Sequence, residues 1–341
     1  MMDPVLKVND QSTFRAYLLQ KHDSEIVGGV QQLPRTDLPT ENLEVAVEYS
    51  SFNYKDAMVV RGIGGLTKNY PHVPGIDLVG TVVTSSDPEF VPGETIIVTG
   101  WHVGERYWGG FSTLASLKSD YAISLPTGIS PKDAMILGTA GLSAMLGTMA
   151  LETQGLCNST NYPVLVTGAT GGVGSLAVLL LSNLGYSVTA VTRRMQEAQY
   201  LFGLGAKNVI EYRQLIEDGD KPLQKQKWSG AIDTVGGHAL AVVASQLING
   251  GSIAAIGLVG GTSFTSSMYP FLLRGINILG IDSTTQPKIT RLKAWQRLIE
   301  LQLSDSLRAL AVVKGLNDID ELATSILAGK LRGRVVIDPS T

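Results

Sequence analysis

The stretch VTGATGGVG, residues 166–174, sets four glycines in nine residues between a short β-branched run and a long apolar segment, SLAVLLLSNLG. A strand at 164–167, a turn through Gly168, Gly171, Gly172 and Gly174, and a helix from Ser175 onward are expected. In that context glycines let backbone N–H groups approach a pyrophosphate at a helix N-terminus. A plain strand-to-helix turn needs one glycine or two. The alternation then continues through YSVTAVT, MQEAQYLFGLGA, NVIEY, WSGAIDTVG, HALAVVASQLING, GSIAAIGL, MYPFLLRG and INILGID. Strands alternating with helices are the mark of a doubly wound parallel α/β domain.

The first third has a different texture. FRAYLL, LEVAVEYSSF, DLVGTVV, ETIIVTG and YAISLP are short β-rich runs cut by turn residues, and their spacing fits a small, partly closed β-barrel. The change comes at Pro131, where PKDAMILGTAGLSAMLGTMALETQG reads as helix; DIDELATSILAGKL and GRVVID supply a last helix and strand. At 341 residues two domains are the default, and 44% hydrophobic residues can fill both cores. A net charge of −3 gives no reason to expect nucleic acid or an anionic membrane as partner. Cys157 is the only cysteine, which excludes an internal disulfide and any cysteine-based zinc cluster and fits a reducing compartment. MMDPVLKVNDQ lacks a signal pattern, and Gly, Asn or Ser breaks the apolar runs short of a membrane span. The expected location is cytoplasmic.

The second strand of the nucleotide domain discriminates between cofactors. NAD binders carry an acid there for the ribose 2′-hydroxyl. Here the strand ends in Thr192-Arg193-Arg194, with no acid. Two guanidinium groups suit a 2′-phosphate, so NADPH is the expected cofactor, the alternative being an ordinary solvated basic turn.

SSFNYKDAM, VPGIDLVGTV, GWHVGERYWGGF, LGTAGLSAM, VTGATGGVGS, GAIDTVGG and PFLLRGINILGIDS run in order from residue 50 to 283. In this combination the chain resembles the medium-chain dehydrogenase/reductase superfamily. Within it, the chain looks like the zinc-free, quinone-oxidoreductase-like group that includes acryloyl-CoA reductases of the YhdH/YhfP type. The resemblance implies an α/β chain with a GroES-like, partly open barrel at 1–134, completed by 304–341, and a Rossmann NADPH-binding domain at 135–303. The site would lie at the carboxyl ends of the parallel strands. Zinc-dependent relatives place a cysteine where this chain has Asn53 and a His-Glu pair where it has Ile76-Asp77. His22, His72, His102 and His238 show no HxxxH or HxH spacing, and a catalytic zinc wants three converging ligands with one open position.

Without a Lewis acid, reduction of an activated C=C bond is the sensible chemistry. Tyr54 is the first candidate for a polar group over the nicotinamide, since a phenol donates a hydrogen bond at neutral pH without losing charge. Asn53 and Asp77 complete the catalytic candidates, with Lys55 as a neighbour; Lys55 and Asp56 could equally form a structural ion pair. The resemblance carries over Thr139, Thr170, Gly171, Gly172, Val173, Thr192, Arg193, Arg194 and Arg334 as cofactor-binding positions. Tyr212 resembles the NYR tyrosine of quinone oxidoreductases, where the acryloyl-CoA reductases tend to carry an arginine. Leu258, Leu272 and Ser283 match positions near the nicotinamide end. Trp101, Tyr107 and Trp108 could wall the substrate side, though an aromatic rim over a barrel is more often packing. Candidate substrates are a small enoyl-CoA, an enone or a quinone. An NADPH:quinone reductase and a non-catalytic NADPH-binding sensor remain as alternatives. INILGID, as a long apolar edge strand, invites antiparallel pairing with a second copy unless TSFTSSMYP covers it. A homodimer is expected.

The metal reading has a direct check. The protein should purify without stoichiometric zinc and keep its activity in chelator; elemental analysis showing one zinc per chain, lost together with activity, would overturn it.

Overall fold

The computed structural model describes residues 12–341 apart from residues 24 and 220, so MMDPVLKVNDQ lies outside the described residues. The chain divides into two compact units. One runs up to Leu125 and regains Val313–Ala328 and Val335–Thr341; the other comprises Pro126–Val312 and Gly329–Arg334.

The first unit contains strands β1 (Thr13–His22), β2 (Glu25–Pro34) and β3 (Leu43–Phe52), helix α1 (Tyr54–Val60), and strands β4 (Asp77–Ser85), β5 (Thr95–Thr99), β6 (Leu114–Leu117) and β7 (Ala122–Ser124). The second contains α2 (Pro131–Thr153), β8 (Val164–Val166), α3 (Gly172–Asn183), β9 (Val188–Thr192), α4 (Ala198–Gly203), β10 (Asn208–Glu211), α5 (Tyr212–Leu215), β11 (Trp228–Asp233), α6 (Gly237–Gln246), β12 (Leu247–Ala255), α7 (Tyr269–Arg274), β13 (Asn277–Gly280), α8 (Lys288–Glu300) and α9 (Ser304–Ala309). The chain closes with β14 (Ala311–Gly315), α10 (Ile319–Leu327) and β15 (Arg334–Asp338).

β3 organises the first unit. It pairs antiparallel with β4, with β6 near its start and with β15 near its end, within the sheet order β14-β15-β3-β4-β5-β7. Its inward residues Leu43, Val45 and Val47 alternate along the strand, as a half-buried strand requires, and meet Leu78, Val82, Ile96 and Val98. β1 and β2 form a separate hairpin. Gly28 of β2 lies beneath the Tyr17 ring of β1, where a Cβ would come within 2.6 Å of ring carbons.

The second unit carries a six-stranded sheet, order β10-β9-β8-β11-β12-β13, parallel throughout. That is the doubly wound order, reversing between β8 and β11. Helix α2 starts cleanly: Pro131 fills its first turn and the Ser130 hydroxyl accepts the Asp133 N–H at 3.1 Å. It packs against α3, α8, α9 and the sheet, which is why these residues belong to the nucleotide unit from Pro126 onward.

Two expectations need correction. The apolar run is not cut short of a membrane span: α2 kinks at Gly138 but is long and apolar enough to cross a membrane by length and composition. Yet 83% of that apolar window is buried within the fold, as in a core helix apolar on all sides. HALAVVASQLING is not one helix, because α6 stops at Gln246 and Leu247 turns extended (φ −66, ψ 149) to open β12.

Candidate active site

β8 and β11 end side by side at the point where the sheet order reverses. Beyond β8, the Thr167 hydroxyl donates to the Asp233 carboxylate at 2.5 Å, and Asp233 also accepts the Gly236 N–H at 2.7 Å. Gly168 then takes a left-handed φ of 58°. Helix α3 begins at Gly172 rather than at Ser175, because the Gly171 carbonyl already accepts the Ser175 N–H at 2.8 Å. A Cβ at Gly174 would stand 2.3 Å from the Gly168 oxygen and 2.8 Å from the Ala169 Cα. Only glycine lets the helix start this close to the strand. The first N–H groups of α3, on Gly172 and Val173, have no intrahelical acceptor and carry the positive end of the helix dipole.

The buried Arg334 side chain ties this turn to α2. Its Nε donates to the Ile136 carbonyl at 2.8 Å, and a Cβ on Gly172 would lie 3.0 Å from its Nη1. Thr139 follows Gly138, where α2 leaves helical geometry (φ 49, ψ −152). The Thr170 carbonyl accepts the Gly333 N–H at 3.1 Å. The structure thus gathers Thr170, Gly171, Gly172, Val173 and Arg334 around one turn. Backbone N–H groups, a helix start and a buried guanidinium make a fitting cradle for phosphate oxygens.

Thr192 is buried, and its Oγ1 accepts the Arg194 N–H at 2.9 Å. Arg194 turns both terminal nitrogens onto the carbonyls of Lys330 and Leu331, at 2.9 and 2.8 Å. Its guanidinium thereby holds the 329–334 segment. Arg193 is exposed and lies over the Tyr212 ring, 4.6 Å from its centroid. Its guanidinium rests on an aromatic platform. Leu258 sits beside Gly236, where an added Cβ would come 3.2 Å from its Cα. Leu272 lies on α7 with 74% of its surface exposed. Ser283 offers its carbonyl to Arg291 at 2.8 Å. No described hydrogen bond ties Leu272 or Ser283 to the phosphate turn.

In the barrel unit, Tyr54 is the first residue of α1, half-buried, with Asn53 as the N-cap. The Asn53 side-chain nitrogen donates to Asp77 Oδ2 at 2.9 Å and approaches Asp56 Oδ2 and Ser51 Oγ at 3.2 Å. The Ser51 hydroxyl donates to the same Asp77 oxygen. Asp77 is wholly buried. Asn53 and Asp77 therefore hold each other and the start of α1. Lys55 does not pair with Asp56: its Nζ bonds Glu105 Oε1 at 3.0 Å, while Asp56 turns inward. No group of three or more His, Cys, Asp or Glu side chains among the described residues could hold a metal ion.

Asp56 is the residue the sequence reading missed. It sits three positions after the N-cap, the capping-box spacing visible in NYKD. One of its oxygens accepts the Asn53 N–H at 2.8 Å and the other the Ile76 N–H, also at 2.8 Å. Complete burial, and then the adjacent Asp77 charge, push its carboxyl from 3.8 up to about 7. A raised folded pKa means the folded state binds this proton more tightly than the unfolded state does. Its contribution to stability is whole below the unfolded value and is lost as pH rises through about 7. Urea denaturation between pH 5 and 8 should show stability falling with pH, at up to about 1.4 kcal/mol per unit for this one proton. Asp56→Asn should flatten that step, and an unchanged slope would assign it to other groups.

Two family models match the chain: the alcohol dehydrogenase GroES-like domain over residues 39–127 and the zinc-binding dehydrogenase over residues 172–301. The chain is 46% identical to acrylyl-CoA reductase AcuI of Ruegeria pomeroyi over 327 residues, covering 95% of this chain and 99% of that protein. It is 39% identical to the putative quinone oxidoreductase YhfP of Bacillus subtilis, over 95% of this chain and 98% of that one. The YhfP crystal structure, with NAD bound, superimposes with a TM-score of 0.92 over 96% of this chain and 99% of that chain. YhdH of Escherichia coli K-12, solved with bound NADPH, gives a TM-score of 0.92 at 41% identity, over 95% and 99% of the two chains. With its barrel and doubly wound units and this full-length likeness, the chain belongs to the quinone-oxidoreductase-like group of the medium-chain dehydrogenase/reductase superfamily, in which the acrylyl-CoA reductases fall.

Proposed function

We propose that the chain is an NADPH-dependent reductase of an activated C=C bond in a small enoyl thioester such as acryloyl-CoA, working in the cytoplasm. The carrying observation is the likeness to an acrylyl-CoA reductase at 46% identity over nearly the whole chain. NADPH supplies the hydride that such a reduction needs at the β-carbon. The glycine turn with Thr139, Thr170 and Arg334 holds the pyrophosphate end, and Arg193 on Tyr212 meets the 2′-phosphate. Leu258, Leu272 and Ser283 serve the nicotinamide end. The Tyr54 hydroxyl polarises the conjugated carbonyl, and the Asn53–Asp56–Asp77 network fixes the backbone that presents it. The YhfP relative's name keeps a quinone substrate as the second reading. NADPH oxidation assayed against acryloyl-CoA, simple enones and quinones tests the proposal, and turnover of quinones alone would transfer the assignment.

The cofactor charge is read from one side chain. Arg193→Ala should weaken NADPH binding by about 1.5–3 kcal/mol, the worth of a charge-assisted contact, and leave NADH unaffected. Arg194→Ala should instead lower the unfolding midpoint. Titration calorimetry with both cofactors separates the two, and equal Kd values for NADPH and NADH in the wild type would remove the preference.

Tyr54→Phe keeps the ring and deletes the hydroxyl, so its effect should fall on turnover and spare folding. A polarising or general-acid group contributes roughly 10²–10⁴-fold. Steady-state kinetics at the wild-type rate would make Tyr54 a packing residue.

The reading includes a homodimer. β13 is the edge of the parallel sheet. The same unit leaves Leu258, Val259, Met268, Tyr269, Leu272 and Leu273 exposed, more apolar surface than scattered single side chains explain. A second copy pairing antiparallel along β13 would cover both. Light scattering at micromolar concentration should report a dimer, and Ile278→Pro should give monomer or aggregate. A proline variant that stays dimeric would place the interface elsewhere.

A further inference from the structure

A pocket lies wholly in the barrel unit, and one loop links its lining to helix α1. Glu105, which takes the Lys55 amine at 3.0 Å, is followed directly by Arg106, Tyr107 and Trp108. These three line the pocket together with Glu41, Lys118 and Tyr121. Its rings are ordered against each other: Tyr107 meets Tyr121 at 5.7 Å between centroids, and Trp101 stacks on Tyr121, also at 5.7 Å. The Lys118 amine lies 5.5 Å over the Tyr107 ring. Neither Arg106 nor Lys118 has an ion-pair partner among the described residues. Lys118 over the Tyr107 face, Arg106 and the Glu41 carboxylate, all lining one pocket, supply the donors and acceptors that a purine nucleotide uses. Rings stack the base, cations meet phosphate oxygens, and the Glu41 carboxylate accepts from an exocyclic amine. Burial, and then the Tyr107 and Glu41 contacts, push the Tyr121 phenol up to about 12, so it stays neutral and able to donate.

We propose that this pocket holds the adenosine 3′-phosphate 5′-diphosphate end of an acyl-CoA substrate, between Arg106, Lys118 and the Tyr107–Trp108–Tyr121 rings. The assignment rests on the enoyl-thioester reading above and adds to it the reason that the CoA carrier is recognised. The charges and rings of the pocket are spent on the carrier, and the acyl group is left to the Tyr54 side.

Two measurements test it. With the nicotinamide site saturated by NADP⁺, calorimetry should show the wild type binding adenosine 3′,5′-bisphosphate. The Arg106→Ala/Lys118→Ala double variant should bind it at least about tenfold more weakly, as expected for lost charge-assisted contacts. In turnover, the same variant should raise KM for acryloyl-CoA by a similar factor with kcat unchanged. Its KM for acryloyl-pantetheine, which lacks the nucleotide, should not move. No bisphosphate binding by the wild type overturns the proposal, as do equal losses with both thioesters. Tighter binding of the 2′,5′-bisphosphate also overturns it, because that is the NADPH half and not the CoA half. A wild type that reduces neither thioester overturns the functional reading instead, and bisphosphate binding then still decides the pocket. Both substitutions are at solvent-accessible side chains, and Tyr107→Leu, which removes a ring and leaves both cations, gives the second arm: base binding should weaken while the salt dependence persists.

Discussion

A backbone-to-backbone contact underlies the nucleotide unit: the Gly174 Cα of α3 rests against the Gly168 carbonyl and Ala169 at the end of β8. No side chain can be inserted there without moving the helix off the strand. Because the contact is so close, α3 starts at once, its unpaired N–H groups come level with the end of the central strand, and Arg334 can pass beside Gly172 to reach α2. The requirement is one of van der Waals distance, and it explains why four glycines cluster where a turn alone would need fewer.

The barrel unit is built around a different constraint, the burial of two carboxyl groups near each other. Such a pair is costly unless hydrogen bonds meet the remaining lone pairs. Here Ser51, Asn53 and the N–H groups of Asn53 and Ile76 supply them. The arrangement fixes the start of α1 from both sides. A network satisfied in this way favours one geometry over its neighbours, which matters at the helix turn that carries Tyr54.

Much of the fold could be read in the sequence where period and punctuation agree. LEVAVEYSSF is β3 to the residue, and the alternation after residue 164 becomes the parallel sheet. β2 escaped because the Gly28-Gly29 pair interrupts its alternation, and the reason for that pair is the Tyr17 ring lying across it, a contact from another strand. β6 has four residues, too few to show a period. In the candidate site, the phosphate turn was legible because its chemistry is local. The separate fates of Arg193 and Arg194 were not, since two adjacent arginines look alike until the 329–334 segment arrives from the far end of the chain to occupy one of them. Asp56 had its capping spacing on display, but its inward turn depends on Ile76, twenty residues away.

The route of the chain between the two units has a consequence for how such a protein can change over time. The path crosses at Leu125/Pro126, Val312/Val313, Ala328/Gly329 and Arg334/Val335. The glycine turn is thus completed by a short segment more than 150 positions further along the chain, and β3 is completed by the strand that follows it. Neither unit corresponds to an uninterrupted stretch of coding sequence. A recombination event that exchanged only the coding sequence up to Leu125 would bring in a barrel whose strand β15 still came from the old parent, paired against a foreign β3. Diversification of this architecture is therefore steered toward point changes in loops and pocket linings, with whole-unit exchange penalised by the weave of the chain itself.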